Sequence, residues 1–198
     1  DSVKTSLIRI SKNYFVTING LIEEDRKTLK NIKQDTEEFN YQIKTLKNDM
    51  YKVLRNLNKV SVESSQYYVQ TLDYMREAAH SLRFIAEPVF EHVNNNHKPI
   101  TEEQQKELTE LSEKLSEFFN LALHLVIESD FSRTREVVTY INDIQELLHK
   151  LRKAQIKRIK NGSVNTRNSV LYLAILQETK NMLLHVGNML KSQRDFVI

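Results

Sequence analysis

Cysteine and tryptophan are absent from this chain of 198 residues, and glycine and proline number only 3 and 2. Without cysteine there is no disulfide framework and no thiolate metal site, which fits a reducing compartment. A β-rich protein of this length needs many turns, and turns need Gly, Pro and Asn. Long helices need few, so the scarcity points to an all-α fold. A net charge of only +3 makes no general case for nucleic acid as a partner. No run of about 18 apolar residues occurs, so nothing in the sequence reads as a transmembrane helix. With 40% hydrophobic and 28% charged residues the chain can bury a core. It opens on Asp1 and its helical pattern is under way by Val3, from which an excised domain with a further segment upstream is expected.

What is present is a repeat. Tyr67 to Ile85 reads YYVQTLDYMREAAHSLRFI, and an ungapped offset of 105 lays Tyr67 on Tyr172, Asp73 on Glu178, His80 on His185 and Ile85 on Leu190. The same offset lays Leu21-Ile22-Glu23 onto Val126-Ile127-Glu128, Ile43 onto Leu148 and Leu54 onto Ile159. A common offset across many positions predicts a tandem duplication, with repeats over about 1–97 and 98–198. The break Asn94-Asn95-Asn96-His97-Lys98-Pro99 is the expected joint.

Apolar spacing predicts three main helices in each half. The first covers about 3–23, with Leu7, Ile8, Ser11, Phe15, Ile18 and Ile22 as its inner stripe; Gly20 is expected at a close helix contact. Asp25 is a candidate N-cap. Asp35 with Glu38 reads as a second start signal, giving a short turn at 26–33 and then a helix over 36–57 striped by Phe39, Ile43, Leu46, Met50, Val53, Leu54 and Leu57. After a polar connection at 58–65, a third helix runs to about Val93 through Pro88, where a kink is expected. Thr101 and Gln104 form a capping box for the fourth, striped by Leu108, Leu111, Leu115, Phe118, Phe119, Ala122, Leu125 and Val126. Asp130 or Ser132 caps a fifth that ends before Gly162, and a sixth covers about 165–196. The predicted architecture is an all-α tandem of two three-helix bundles.

Three constellations carry chemistry. Asp73, Glu77 and His80 share a helix face; turned inward they would hold a hard or borderline divalent cation, or zinc or iron with the histidine, and turned outward they are a solvated surface. In the second half Glu178 and His185 persist, but Met182 replaces the second acid, so the first-half face should dominate. His92 and His97 flank the joint as candidate ligands or polar punctuation. His124, inside LALHLVI, reads as a hydrogen-bonded core histidine. The basic tract Lys150, Arg152, Lys153, Lys157, Arg158 and Lys160 suits acidic lipid headgroups or nucleic acid or, more simply, the C-terminus of its own helix, and no aromatic residue interleaves it for single-strand stacking. No Gly-rich phosphate loop, cysteine nucleophile or Gly-flanked serine is present, so a non-enzymatic role is expected.

Two bundles in tandem, with acids four apart on the third helix, resemble the PhoU family of phosphate regulators, whose signature there is E-x-x-x-D; Asp73-Tyr74-Met75-Arg76-Glu77 keeps the spacing with the acids exchanged. YYVQTLDYMREAAHSL, FEHVNNNHKP and ILQETKNMLLHVGNMLKSQRDF look like the PhoU-like cytoplasmic tail of bacterial sodium/phosphate cotransporter-like proteins. The resemblance implies a PhoU-like regulatory domain of six main helices at the cytoplasmic face of the inner membrane, tethered to an upstream transporter domain in the same polypeptide. A second copy of the chain is a further candidate partner, and no nucleic acid is expected. The resemblance also implies metal on the acidic motifs, which carries over to Asp73 and Glu77 and only partly to Glu178. The other readings are a free-standing PhoU-like regulator and, from another class, a metal-dependent enzyme using the Asp73 face.

Overall fold

The computed structural model describes residues 2–56 and 61–197. Among them are six α-helices and no strand: α1 (Ser2–Glu23), α2 (Arg26–Asn56), α3 (Val62–Asn94), α4 (Glu102–Glu128), α5 (Thr134–Lys160) and α6 (Thr166–Val197). The first three pack on one another, and so do the last three. The halves join where α3 packs on α6 and α1 on α4, and the α3–α6 contact is the most extensive in the molecule. Gln70 accepts from Ser192 at one end of that seam and His97 meets Arg167 at the other, so α3 and α6 run antiparallel. None of these helices is long and apolar enough to cross a membrane.

Local chemistry sets the helix ends. Thr101 accepts from the Gln104 amide while the Gln104 side chain accepts from the Thr101 amide, closing both halves of the predicted capping box. Asp25 takes both the amide and the hydroxyl of Thr28, as its N-cap reading required. Ser61 and Asn165 accept the Ser64 and Asn168 amides at the starts of α3 and α6. At the other ends, α1 closes with Asp25 N–H on the Gly20 carbonyl and Glu24 at φ 52°, and α4 with Asp130 N–H on the Leu125 carbonyl and Ser129 at φ 49°. These two closures stand at the offset of 105 read from the sequence.

Several expectations need correction. α2 is one helix over Arg26–Asn56, with no break before Thr36. Asp35 does not start a helix; it faces α1, where Arg9 grips both its oxygens (2.8 and 3.1 Å) and Asn13 donates at 2.6 Å. Neither Asp130 nor Ser132 caps α5: Asp130 accepts from the Ser132 amide in the turn before it, and α5 starts after Arg133 with no side-chain cap. The α1 stripe is rotated, since Leu7, Ile10, Tyr14, Ile18 and Leu21 are buried while Ile8 and Phe15 stand 45% and 43% exposed. In α2, Phe39, Ile43 and Met50 are buried and Leu46 and Leu54 half-buried, but Val53 is exposed; Leu57 lies outside the described residues. The fourth stripe is as read, with Val126 half-buried and the others buried. His124 is exposed, because the neighbours that turn inward are Leu121, Ala122 and Leu125.

A buried polar chain ties the second half together. Gln104 donates to Gln155 (3.0 Å) and Gln155 to Ser169 (3.1 Å), joining α4, α5 and α6. Beside it Arg158 pairs with Glu107 at 2.6 Å and lies over the Tyr172 ring at 5.5 Å. Between the halves, Tyr14 of α1 and Thr179 of α6 share a fully buried hydrogen bond of 2.9 Å.

Gly20 has the close contact its position in α1 predicted. A Cβ there would stand 2.7 Å from Leu29 Cδ2 and 2.9 Å from its branched Cγ, whereas one at Gly187 would meet only the tip of Ile141, at 2.7 Å from Cδ1. Gly20→Ala is therefore expected to destabilise by about 1–3 kcal/mol of overpacking, set against roughly 1 kcal/mol of helix propensity gained. Gly187→Ala, where a flexible tip can move, should be close to neutral. Urea midpoints of the two variants check this ordering.

Candidate functional site

The acidic face of α3 is where sequence and structure meet. Asp73, Glu77 and His80 do lie along one side of α3, half-buried to exposed. Asp73 is not a free ligand: the Lys47 ammonium of α2 sits 2.6 Å from its Oδ1. His80 Nδ1 stands 3.9 Å from Glu77 Oε1. On α6, Glu178 is half-buried and accepts from Asn181 at 3.3 Å, and half-buried His185 has an Nδ1 that is buried without a partner. Met182 is fully buried in the core. Among the described residues no three His, Asp or Glu side chains are gathered closely enough to hold an ion. The donor set on α3 thus already carries a cation, the lysine ammonium, and does not fit a metal as it stands.

At the joint the two histidines come together. His92 is buried, its Nε2 is 2.9 Å from the Lys98 carbonyl, and the His97 ring stands edge-on at 5.3 Å. Arg167 of α6 reaches His97 Nε2 at 2.6 Å, and Arg26 of α2 donates to Asn96 at 2.6 Å. A cleft of about 330 Å³ opens here between α3 and α6, lined by Pro88, His92, His97, Arg167, Val170 and Leu171. In the basic tract, Arg158 turns inward onto Glu107 and Arg152 donates to Gln177, while Lys150, Lys153, Lys157 and Lys160 stay exposed.

The fold itself is known. PhoU from Pseudomonas aeruginosa superposes with a TM-score of 0.79 over 99% of this chain and 95% of that one, at 11% identity. The phosphate transport system regulatory protein PhoU from Streptococcus pneumoniae superposes with a TM-score of 0.75 over 99% and 93%, at 15% identity. The fold is that of PhoU. No protein-family model and no curated protein matches the sequence. At these identities the likeness carries the PhoU fold, and the residues must speak for themselves. Sequence reading missed Lys47, since a lysine on one helix facing an acid on the next leaves no local spacing to detect.

Two outcomes follow from this face. Removing the competing ammonium in Lys47→Ala should raise divalent-cation affinity at the α3 face, and Asp73→Ala/Glu77→Ala should abolish whatever binding is gained; titration calorimetry on both variants reads this. His80 is held below the usual histidine range, chiefly by burial, against the pull of Glu77 and with Arg76, Arg83 and Lys47 adding to the depression. The unfolded chain therefore takes up this proton first. The His80 contribution to stability is complete above the ordinary histidine range and is lost as pH falls through it. His80→Asn should flatten part of the loss in urea midpoint between about pH 7.5 and 5.5.

Proposed function

We propose that this chain is a non-enzymatic regulatory domain acting in phosphate transport. The observation that carries the reading is the superposition of almost the whole chain on two PhoU structures, one of which is described as a phosphate transport system regulatory protein. The sequence resemblance to PhoU-like cytoplasmic tails adds a second line of support, for attachment to a sodium-dependent phosphate cotransporter-like membrane protein. The fold supports a free-standing PhoU-like regulator equally well. The shared offset of the α1 and α4 closures supports descent of residues 1–97 and 98–198 from one duplicated half. A metal-dependent enzyme draws no support from the geometry: Asp73 is paired with Lys47, and the clefts at the joint and beside α5 are lined by other residues.

The test is phosphate uptake in the host. Deleting the coding region for this domain is expected to uncouple uptake of labelled phosphate from the external phosphate supply. Uptake that keeps its normal response would remove the reading. Uptake that also requires sodium, from a polypeptide with hydrophobic segments of about 20 residues ahead of Asp1, would favour the transporter tail over the free-standing regulator.

A further inference from the structure

Ile8, Phe15 and Ile22 stand seven apart, so they lie on one stripe of α1. That stripe is not core: Ile8 and Phe15 are 45% and 43% exposed and Ile22 is half-buried. Ile22 shares a surface cavity of about 480 Å³ with Glu102, Gln105, Lys106, Glu110 and Glu113 from the first turns of α4. The end of α1 thus lies beside the beginning of α4, and the two helices run antiparallel. Ile127, 52% exposed near the end of α4, then falls at the same end of the seam as Ile8.

The seams within each half are covered, whereas the α3–α6 seam opens into the cleft edged by His92, His97 and Arg167. α2 lies against both α1 and α3, and α5 against both α4 and α6. The α1–α4 seam has an apolar floor and no third helix among the described residues. Its α4 wall is acidic: Glu102, Glu110 and Glu113 are exposed, none forms an ion pair among the described residues, and Lys106 is the cation beside them.

We propose that the α1–α4 seam is the docking groove for a basic amphipathic helix of a partner protein. Apolar residues of such a helix, repeating at three and four positions, would cover Ile8, Phe15 and Ile22, and its Lys or Arg flank would meet the Glu102, Glu110 and Glu113 wall. Burying the stripe supplies affinity, and the acidic wall supplies orientation and rate of encounter. The inference rests on the chain being a docking module, not on which transport system it serves, so it can fail while the phosphate-uptake test succeeds.

The probe is a synthetic helical peptide of about five turns built from Leu at the two core positions of each heptad and Lys elsewhere, with a Leu/Glu peptide of the same pattern as control. Methyl NMR on the whole chain is expected to show the Leu/Lys peptide shifting Ile8, Ile22 and Ile127, with affinity falling as salt rises. Phe15→Glu and Glu110→Lys/Glu113→Lys should each weaken it at least about tenfold, corresponding to one logarithmic unit in the binding constant. Circular dichroism confirms that each variant folds, and since both Glu110 and Glu113 are exposed, the charge variant provides the test even if Phe15→Glu does not fold. Absence of shifts on this seam, equal binding of the Leu/Glu peptide, or affinity unchanged by the Glu110/Glu113 variant overturns the proposal. Self-association of the free chain that Phe15→Glu abolishes also overturns it, because the seam then belongs to a second copy.

Discussion

The fold depends on α3 and α6 being covered on most of their surface. Each must pack on the helices of its own half and also on the other across the antiparallel seam. A helix with one apolar stripe could not do both. α3 accordingly buries Leu72, Met75, Ala78, Ala79, Leu82, Ile85, Ala86 and Val89, and α6 buries Leu171, Ile175, Leu176, Met182, Leu183, Val186, Met189 and Leu190. The alanines of α3 bring its backbone close to its neighbours, and the three methionines adapt to the gaps. The outer helices α2 and α5 need only one inner stripe, and their remaining faces are charged.

Within that frame, polar groups act as fixed points. Tyr14 and Thr179 are both completely buried and have each other as hydrogen-bond partners. Burial pushes the Tyr14 phenol well above the usual tyrosine range, against the opposing effect of Thr179. Removing either hydroxyl would leave the other unsatisfied, which typically costs about 1–3 kcal/mol. The bond joins α1 to α6, so it holds the two halves in one register. Asp35 does comparable work inside the first half: its hydrogen bond to Arg9 leads the forces that hold its carboxyl below the usual range, against partial burial, with Asn13 adding to the depression.

Helix number, their approximate ends and the α4 core were legible because amphipathic spacing and caps are local signals. Thr101 with Gln104 and the Asn run at the joint needed no tertiary knowledge. The misreadings have tertiary causes. Asp35 looks like a cap in sequence, and only the arrival of Arg9 from another helix shows its use. The α1 stripe was read through Ile8 and Phe15 because both are apolar at helical spacing, yet the buried side is a small rotation away, through Ile10 and Tyr14. The acidic face of α3 was found, but the partner of Asp73 was not: spacing within α3 says nothing about Lys47 on α2. His124 was assigned to the core by its apolar neighbours, although in a helix adjacent residues point in different directions.

Gln104 belongs to two structures at once. Its side-chain oxygen accepts from the Thr101 amide at the start of α4, and its nitrogen donates to Gln155, which in turn donates to Ser169 of α6. The residue is fully buried. A helix terminus ordinarily frays independently of the body of the protein. Here the first turn of α4 cannot open without breaking a chain that runs through α5 into α6, so the end of the connection between the halves should exchange its amide hydrogens with the second half as one cooperative unit. A force or partner acting on the connection would then reach α6 through α5, across three residues, before any helix has unwound.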